Sequence, residues 1–338
     1  MKTSVVTALA LASVAGSAFA GLTSVEEAIK IKDVSFEQNL GSRDVVVNYT
    51  LAGHNALIRA EVLTNGVSIG KQFIKTFTGD YSSTMTEVFE PGPHTFRWKA
   101  RKDWPDQLTG DLQMKVCALY PEEAGKPSVY DEFARTVYAN EFSVDNTLDE
   151  GWTVYLPGAD ANGHGVPWQG RLQIRDRTDI GKNTTAQLTT PVFEELSDWR
   201  ISFDLGLQCM GSEDWGQSWA RWTYSISGLD ADGNVVFKLV GQANDRGVNV
   251  ASTIGGIVIP GTGSAGMTRL TLLRTAADTF SVFGPNGEVG TTSAAIANPK
   301  GKIVRLKFTI PEPVGCPATW GYGFVDNLKI EDISAAPF

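Results

Sequence analysis

The chain has 338 residues, 29 Lys and Arg against 38 Asp and Glu, a formal charge of −9, 42% hydrophobic residues and three cysteines. An acidic chain without a Lys/Arg block lacks the clustered cations that neutralise phosphates, so nucleic acid is excluded as the expected partner. Beyond residue 20 no apolar run reaches membrane-spanning length, which excludes a helical span.

Taken in chain order, the first element is not part of the fold. Lys2, the apolar stretch 5–14 and Ala18-Phe19-Ala20 before Gly21 have the layout of a secretory signal peptide of bacterial type. This predicts a mature chain starting at Gly21 and a secreted location, extracellular or periplasmic, with cell-surface association open. Gly21 where a lipoprotein needs Cys argues against a lipid anchor, and 333–338 carries no hydrophobic tail. In an exported protein an odd cysteine count allows one bridge at most. Cys209 and Cys316 fall in the same block and are the expected pair, and three buried thiols are the alternative. Their spacings match no zinc pattern.

From about 29 to 120 the sequence alternates with period two. Val45, Val47, Tyr49 and Leu51 share one face; Phe96, Trp98 and Ala100 another; Leu112, Met114, Val116 and Ala118 a third. Each reads as a half-buried antiparallel strand. Asn65-Gly66, Pro91-Gly92-Pro93, Asp232-Gly233 and Asn286-Gly287 supply turn signals along the chain. No helix is expected beyond one turn near 25–30. Residues 91–100 followed by Asp103-Trp104-Pro105 resemble fibronectin-III/Ig-like modules of secreted bacterial proteins. The resemblance implies an immunoglobulin-like sandwich over 29–120. The polar stretch 121–138 reads as a linker.

The block 139–333 reads as eleven or more strands, among them 152–156, 171–175, 199–207, 235–240, 268–274, 302–310 and 323–330. Such a run with strand-like ends suits a jelly roll whose first and last strands pair. Phe142 with Gly151-Trp152, the stretch 272–289 and Phe324-Val325-Asp326-Asn327-Leu328-Lys329-Ile330 resemble pieces of jelly-roll carbohydrate-binding modules and concanavalin A-like/laminin G-like domains. The expected fold class is therefore all-β, an Ig/fibronectin-III-like sandwich followed by a concanavalin-like jelly roll. By the same resemblance Asp326, with Glu141 and Asp145 opposite, would hold a structural Ca²⁺; the competing reading is that Asp326 caps a backbone turn. No other cofactor is expected.

Motifs for chemistry fail on inventory. His54, His94 and His164 are isolated. Gly261-Thr262-Gly263-Ser264-Ala265-Gly266 matches a dinucleotide fingerprint literally, but β-favouring residues follow where a helix must start. No histidine follows Ser218, so Gly216-Gln217-Ser218 is no nucleophile elbow. The E-x-D-x-x-E of retaining glucanases is absent, leaving Asp230/Asp232, Glu213-Asp214 and Glu331-Asp332 as poorly spaced acids. Asp230-Ala231-Asp232-Gly233-Asn234 opens like a calcium loop but has Gly241 where Glu is required, so a hairpin turn is the better reading.

The binding signal is aromatic. Trp215, Trp219 and Trp222 fall within eight residues beside Gln217 and Arg221, in a stretch that reads as a loop feeding a strand, and Trp168 stands in a second candidate loop, 165–170. Indoles stack on the C–H faces of sugar rings while amides and guanidinium groups take hydroxyls. Trp152 and Trp199 sit in strand patterns and are expected in the core. The expected function is non-catalytic binding of an extracellular glycan on the second block, with the first as spacer. The alternatives are a structural or adhesion protein acting on a surface protein, and a divergent glycosidase.

Overall fold

The computed structural model describes residues 28–84, 86–107, 111–140, 150–155, 165–168, 171–177, 185–211, 222–243, 252–254, 257–259, 267–275, 279–287, 289–290, 301–311 and 319–337. Residues 1–20, read as a signal peptide, lie outside them. The chain falls into two compact units, Met1–Ala134 together with Ser334–Phe338, and Arg135–Ile333. Among the described residues no helix is long and apolar enough to cross a membrane.

The first unit carries strands β1 (Lys30–Gln38), β2 (Val45–Ala52), β3 (Leu57–Thr64), β4 (Val67–Ser68), β5 (Phe77–Gly79), β6 (Gly92–Trp98) and β7 (Leu112–Leu119). They form two antiparallel sheets, ordered β1-β2-β6-β5 and β4-β3-β7. One core lies between them: Val45, Val47, Tyr49 and Leu51 of β2 with Phe96 and Trp98 of β6 meet Ile58, Ala60 and Val62 of β3 and Met114 and Val116 of β7. The alternation in sequence is thus the alternation of burial. Asn65-Gly66 makes the β3–β4 turn with both residues left-handed (φ 52° and 75°), as a two-residue hairpin demands.

Two local readings differ from the structure. The β6 strand stops at Trp98, and Ala100, expected on its face, opens a four-residue helix α1 (Ala100–Asp103). The cause is Asp103, whose carboxylate gathers donors from elsewhere. It accepts from the Lys75 and Thr76 backbone N–H (2.8 and 2.6 Å), the Thr76 hydroxyl (2.7 Å) and the Trp98 indole N–H (3.0 Å). Burial alone would raise its pKa, but these donors outweigh it and hold the carboxyl below the usual aspartate range. The stretch read as a polar linker carries two short 3₁₀ turns and buries Val129 and Tyr130, and its last residues already belong to a strand of the second unit. Cys117 is buried and unbridged, and burial pushes its thiol up to about 12, so it packs as a small apolar group.

The second unit runs through β8 (Arg135–Asn140), β9 (Thr153–Tyr155), β10 (Gly165–Trp168), β11 (Arg171–Arg177), β12 (Thr185–Thr189), β13 (Trp199–Gly211), β14 (Trp222–Leu229), β15 (Val235–Ala243), β16 (Ser252–Ile254), β17 (Ile257–Ile259), β18 (Thr268–Thr275), β19 (Thr279–Phe283), β20 (Arg305–Pro311) and β21 (Thr319–Asp332). One seven-stranded sheet is ordered β10-β11-β21-β13-β18-β19 with β8 also on β21, the other β17-β16-β15-β14-β20-β12-β9. The core between them is built from both. Trp199, Ile201, Phe203 and Leu205 of β13 are fully buried, with Trp199 4.9 Å from Phe237 of β15 and Phe203 6.1 Å from Phe308 of β20. Trp199 is thus in the core as expected; Trp152 packs partly against it and donates its indole N–H to the Tyr138 hydroxyl.

The unit's first strand, β8, pairs with its last, β21, in register Arg135↔Asp332 to Asn140↔Leu328. This is the closure that the strand-like ends suggested. The same β21 pairs further along with β11, from Leu172↔Val325 to Arg177↔Trp320. The handover falls at Asp326 and Asn327, which matters for the site.

Candidate functional site

On its other side β21 pairs with β13 along its length, with one register shift: Ser202 lies opposite Lys329, but Asp204 lies opposite Asp326. One extra residue on β21 makes a β-bulge, and Asn327 carries it in the left-handed region (φ 48°). Asparagine tolerates that region better than most residues. The Asp-Asn pair of the sequence motif is therefore a bulge device. Asp326 Oδ1 accepts the Asn327 backbone N–H (2.8 Å), the turn-capping alternative, and the Asn327 carboxamide donates to Asp204 Oδ2 (2.6 Å).

A row of positions crosses the sheet at this bulge. Trp168 ends β10 opposite Arg171, the first residue of β11. The next pair, Leu172↔Val325, puts Arg171 level with Asp326. Asp326 faces Asp204 on β13, which faces Arg269 on β18. Five strands at about 4.8 Å spacing give a row about 19 Å long. Its described half lies on the outer face, since Phe203, Leu205, Val325 and Leu270 on either side point into the core. Arg269 binds Asp204 Oδ1 (3.3 Å), the Ser202 hydroxyl (2.9 Å) and the Asn327 carbonyl (3.1 Å).

Two residues expected in different roles, Trp168 for ligand and Asp326 for metal, thus stand in one row. Trp222 does not join them: it opens β14 opposite Ala243, in the other sheet. Trp215, Gln217, Trp219, Arg221, Glu141 and Asp145 lie outside the described residues, as do Cys316 and the glycines 261–266. The ends they connect are described. Gly211, the last residue of β13, and Trp222, the first of β14, belong to different sheets. At that end Gly211 pairs with Thr319, Arg177 with Trp320 and Thr185 with Pro311.

Of the expected calcium ligands only Asp326 is described; Glu141 and Asp145 lie outside the described residues. The cation among the described oxygens of the row is the Arg269 guanidinium, and one Asp326 oxygen is taken by the bulge. Among the described residues no three His, Cys, Asp or Glu cluster as a metal site. Asp230 likewise is a turn cap, accepting from Asp232 and Asn234 N–H (3.0 and 2.7 Å) and the Asn234 amide.

Asp204 and Asp326 form a cross-strand carboxylate pair that spacing along the sequence could not reveal, and they raise the question of hydrolysis. A retaining glycosidase needs two carboxyl groups about 5–5.5 Å apart, one free to give and take a proton. Both Asp204 oxygens are held, one by a guanidinium and one by an amide. Glu331 and Asp332 are committed too. Glu331 is buried between Arg200 (2.7 Å) and Lys329 (2.5 Å), and Asp332 pairs with Arg135 (3.0 Å). Burial raises the Glu331 pKa, but the donations from Arg200 and Lys329 outweigh it and hold the carboxyl below its ordinary range, the wrong direction for a general acid. Asp204 and Arg269 were missed in the sequence because their partners lie 58 or more residues away, and Arg171 because β21, on which Asp326 stands level with it, is remote in the chain.

No protein-family model matches the chain, and no curated protein matches it. Solved structures similar to it include the carbohydrate recognition domain of Emp47p (10% identity, 60% of this chain and 98% of that one, TM-score 0.38). An endo-1,3-β-glucanase from Streptomyces sioyaensis (15%, 59% and 96%, TM-score 0.38) and peanut lectin (10%, 57% and 99%, TM-score 0.31) are others.

Proposed function

We propose that the chain is an exported, non-catalytic glycan-binding protein. The second unit holds the ligand through aromatic stacking and hydrogen bonds, and the first unit is an Ig/fibronectin-III-like module. The single observation that carries the binding reading is the row at the β21 bulge. It lines up an indole position, two guanidinium positions and two carboxylates across five strands. Hydroxyl-rich ligands are read by such planar donors and acceptors around an aromatic face. The committed state of Asp204, Glu331 and Asp332 supports binding without bond cleavage. Trp215 and Trp219, close together in sequence beside Gln217 and Arg221, are proposed as further ligand-stacking residues. For the first unit, the support is strand order: β1-β2-β6-β5 against β4-β3-β7 follows the ABED and CF arrangement of immunoglobulin-type sandwiches.

The test is a glycan array with the wild type, Trp168→Ala and Trp215→Ala, alongside a reducing-sugar assay on every bound polysaccharide. The reading expects binding to a restricted set of glycans, at least tenfold weaker in one or both variants, and no released reducing ends. A wild type that binds nothing removes the proposal, and released ends convert it into a hydrolase.

A further inference from the structure

A cleft of about 410 Å³ opens at one end of the first unit, where β1 stops, β2 starts, β6 passes into α1 and β7 begins. Its floor is apolar and aromatic, formed by Phe36, Val45, Trp98 and Trp104. Trp98 is buried with its indole N–H held by Asp103, so it is a fixed wall; Trp104, just past α1, is only partly covered. The rim is exposed and carries both signs, Arg43 and Arg101, Glu37 and Asp106, together with the Gln107 amide, the Gln38 amide that donates to the Arg43 carbonyl (3.3 Å), and one apolar side chain, Leu40.

The backbone adds an independent observation. Arg43 and Asp106 both sit in the left-handed region, at φ 60° and 57°. Aspartate tolerates this; for arginine it is a strained conformation. The β1–β2 turn enforces it. Arg43 N–H donates to the Asn39 carbonyl (2.7 Å), Asn39 N–H to the Asp44 carbonyl (2.9 Å), and the Asn39 side chain takes the Gly41 and Ser42 N–H groups. Glycine at position 43 would make the same turn without strain. A long cationic side chain kept where glycine is easier points to a task over the cleft, since strain persists where function holds it.

The lining also selects the ligand class. An anion meets Glu37 and Asp106, a cation meets Arg43 and Arg101, and a purely apolar ligand dehydrates the four charged groups of the rim. A ring with one C–H face and a girdle of hydroxyls satisfies floor and rim together. A volume of this size suits one or two sugar residues. We infer that the first unit is not a spacer but holds a second carbohydrate site, with Trp104 stacking on an uncharged sugar and Arg43 and Gln107 binding its hydroxyls. The inference stands on this cleft alone and does not need the row on the second unit.

The test uses the full chain and affinity electrophoresis through gels containing laminarin, xylan, galactomannan or mucin. Trp104→Ala, Gln107→Ala and Arg43→Gly are compared with Trp168→Ala. Trp104→Ala is expected to weaken retardation by at least tenfold on one or more of these, and Gln107→Ala by about threefold. Arg43→Gly is expected to weaken it while raising the melting temperature, the joint signature of a strained residue kept for binding. Gln107 and Arg43 are exposed, so their variants remain informative even if Trp104→Ala fails to fold. If Trp168→Ala alone loses binding, this inference falls and the proposal for the second unit stands. If the three first-unit variants lose binding and Trp168→Ala does not, the reverse holds. No retardation of the wild type on any of the four overturns both.

Discussion

Replacing Asp103 by alanine removes four accepted hydrogen bonds at once, and the structure gives the size of the loss. The Lys75 N–H is exposed and finds water, so it contributes little. The Thr76 N–H, the Thr76 hydroxyl and the Trp98 indole N–H are part-buried and lose a charged acceptor. At about 1–1.5 kcal/mol each, the first unit loses roughly 3–4.5 kcal/mol. Asp103→Asn keeps one acceptor oxygen and brings a new donor against existing donors, so it loses about 2 kcal/mol. Hydrogen exchange read by mass spectrometry separates the units. Peptides from β2 and β6 should lose protection by these amounts, while peptides from β13 and β21 keep theirs. The pH dependence has a definite sign. The folded-state pKa lies below the unfolded one, so the stabilisation is complete above the ordinary aspartate pKa of about 3.9 and disappears as pH falls through the lower folded value. The gap between wild type and Asp103→Asn should be constant from pH 7 to 5 and close in more acidic solution. A loss under 1 kcal/mol in Asp103→Ala, or a gap that widens in acid, refutes the account of Asp103 as the organiser of α1.

Two further outcomes test the second unit. Gly228→Ala would place a Cβ 2.3 and 2.6 Å from the Phe237 ring and 2.8 Å from Ile303, inside a filled core, so a loss of about 2–3 kcal/mol in urea unfolding is expected; a neutral variant means the core there can yield. At the bulge, Asn327→Gly should be less destabilising than Asn327→Ala by about 1 kcal/mol in thermal melts, because alanine is strained at φ 48° and glycine is not; equal effects would mean that the Asp204 contact, not the backbone, is what asparagine supplies.

What could be read in the sequence followed distance along the chain. The strands over 171–175, 199–207, 235–240, 268–274 and 323–330 all lie within observed strands, because period-two burial is a local signal. The hairpin at Asn65-Gly66 and the turn at Asp230 were legible for the same reason. The site was not. Asp326 stood out through its motif, but its neighbours Asp204 and Arg269 become neighbours only when β21 lies beside β13 and β13 beside β18. Arg269 reads in sequence as any exposed strand cation. The α1 turn was hidden likewise, since the Asp103 partners Lys75 and Thr76 lie 28 and 27 residues back. The cleft was invisible because its floor and rim come from both ends of the first block.

The first unit is discontinuous, and that has a consequence for biogenesis. Its last piece, Ser334–Phe338, arrives after the whole of Arg135–Ile333, and Ala336 within that piece is fully buried. Domains usually mature in the order in which they are synthesised. Here the earlier-made body must wait for Ser334–Phe338, while the inserted body has everything it needs once Ile333 emerges. Removing Ser334–Phe338 is therefore expected to injure the first unit and leave the second whole.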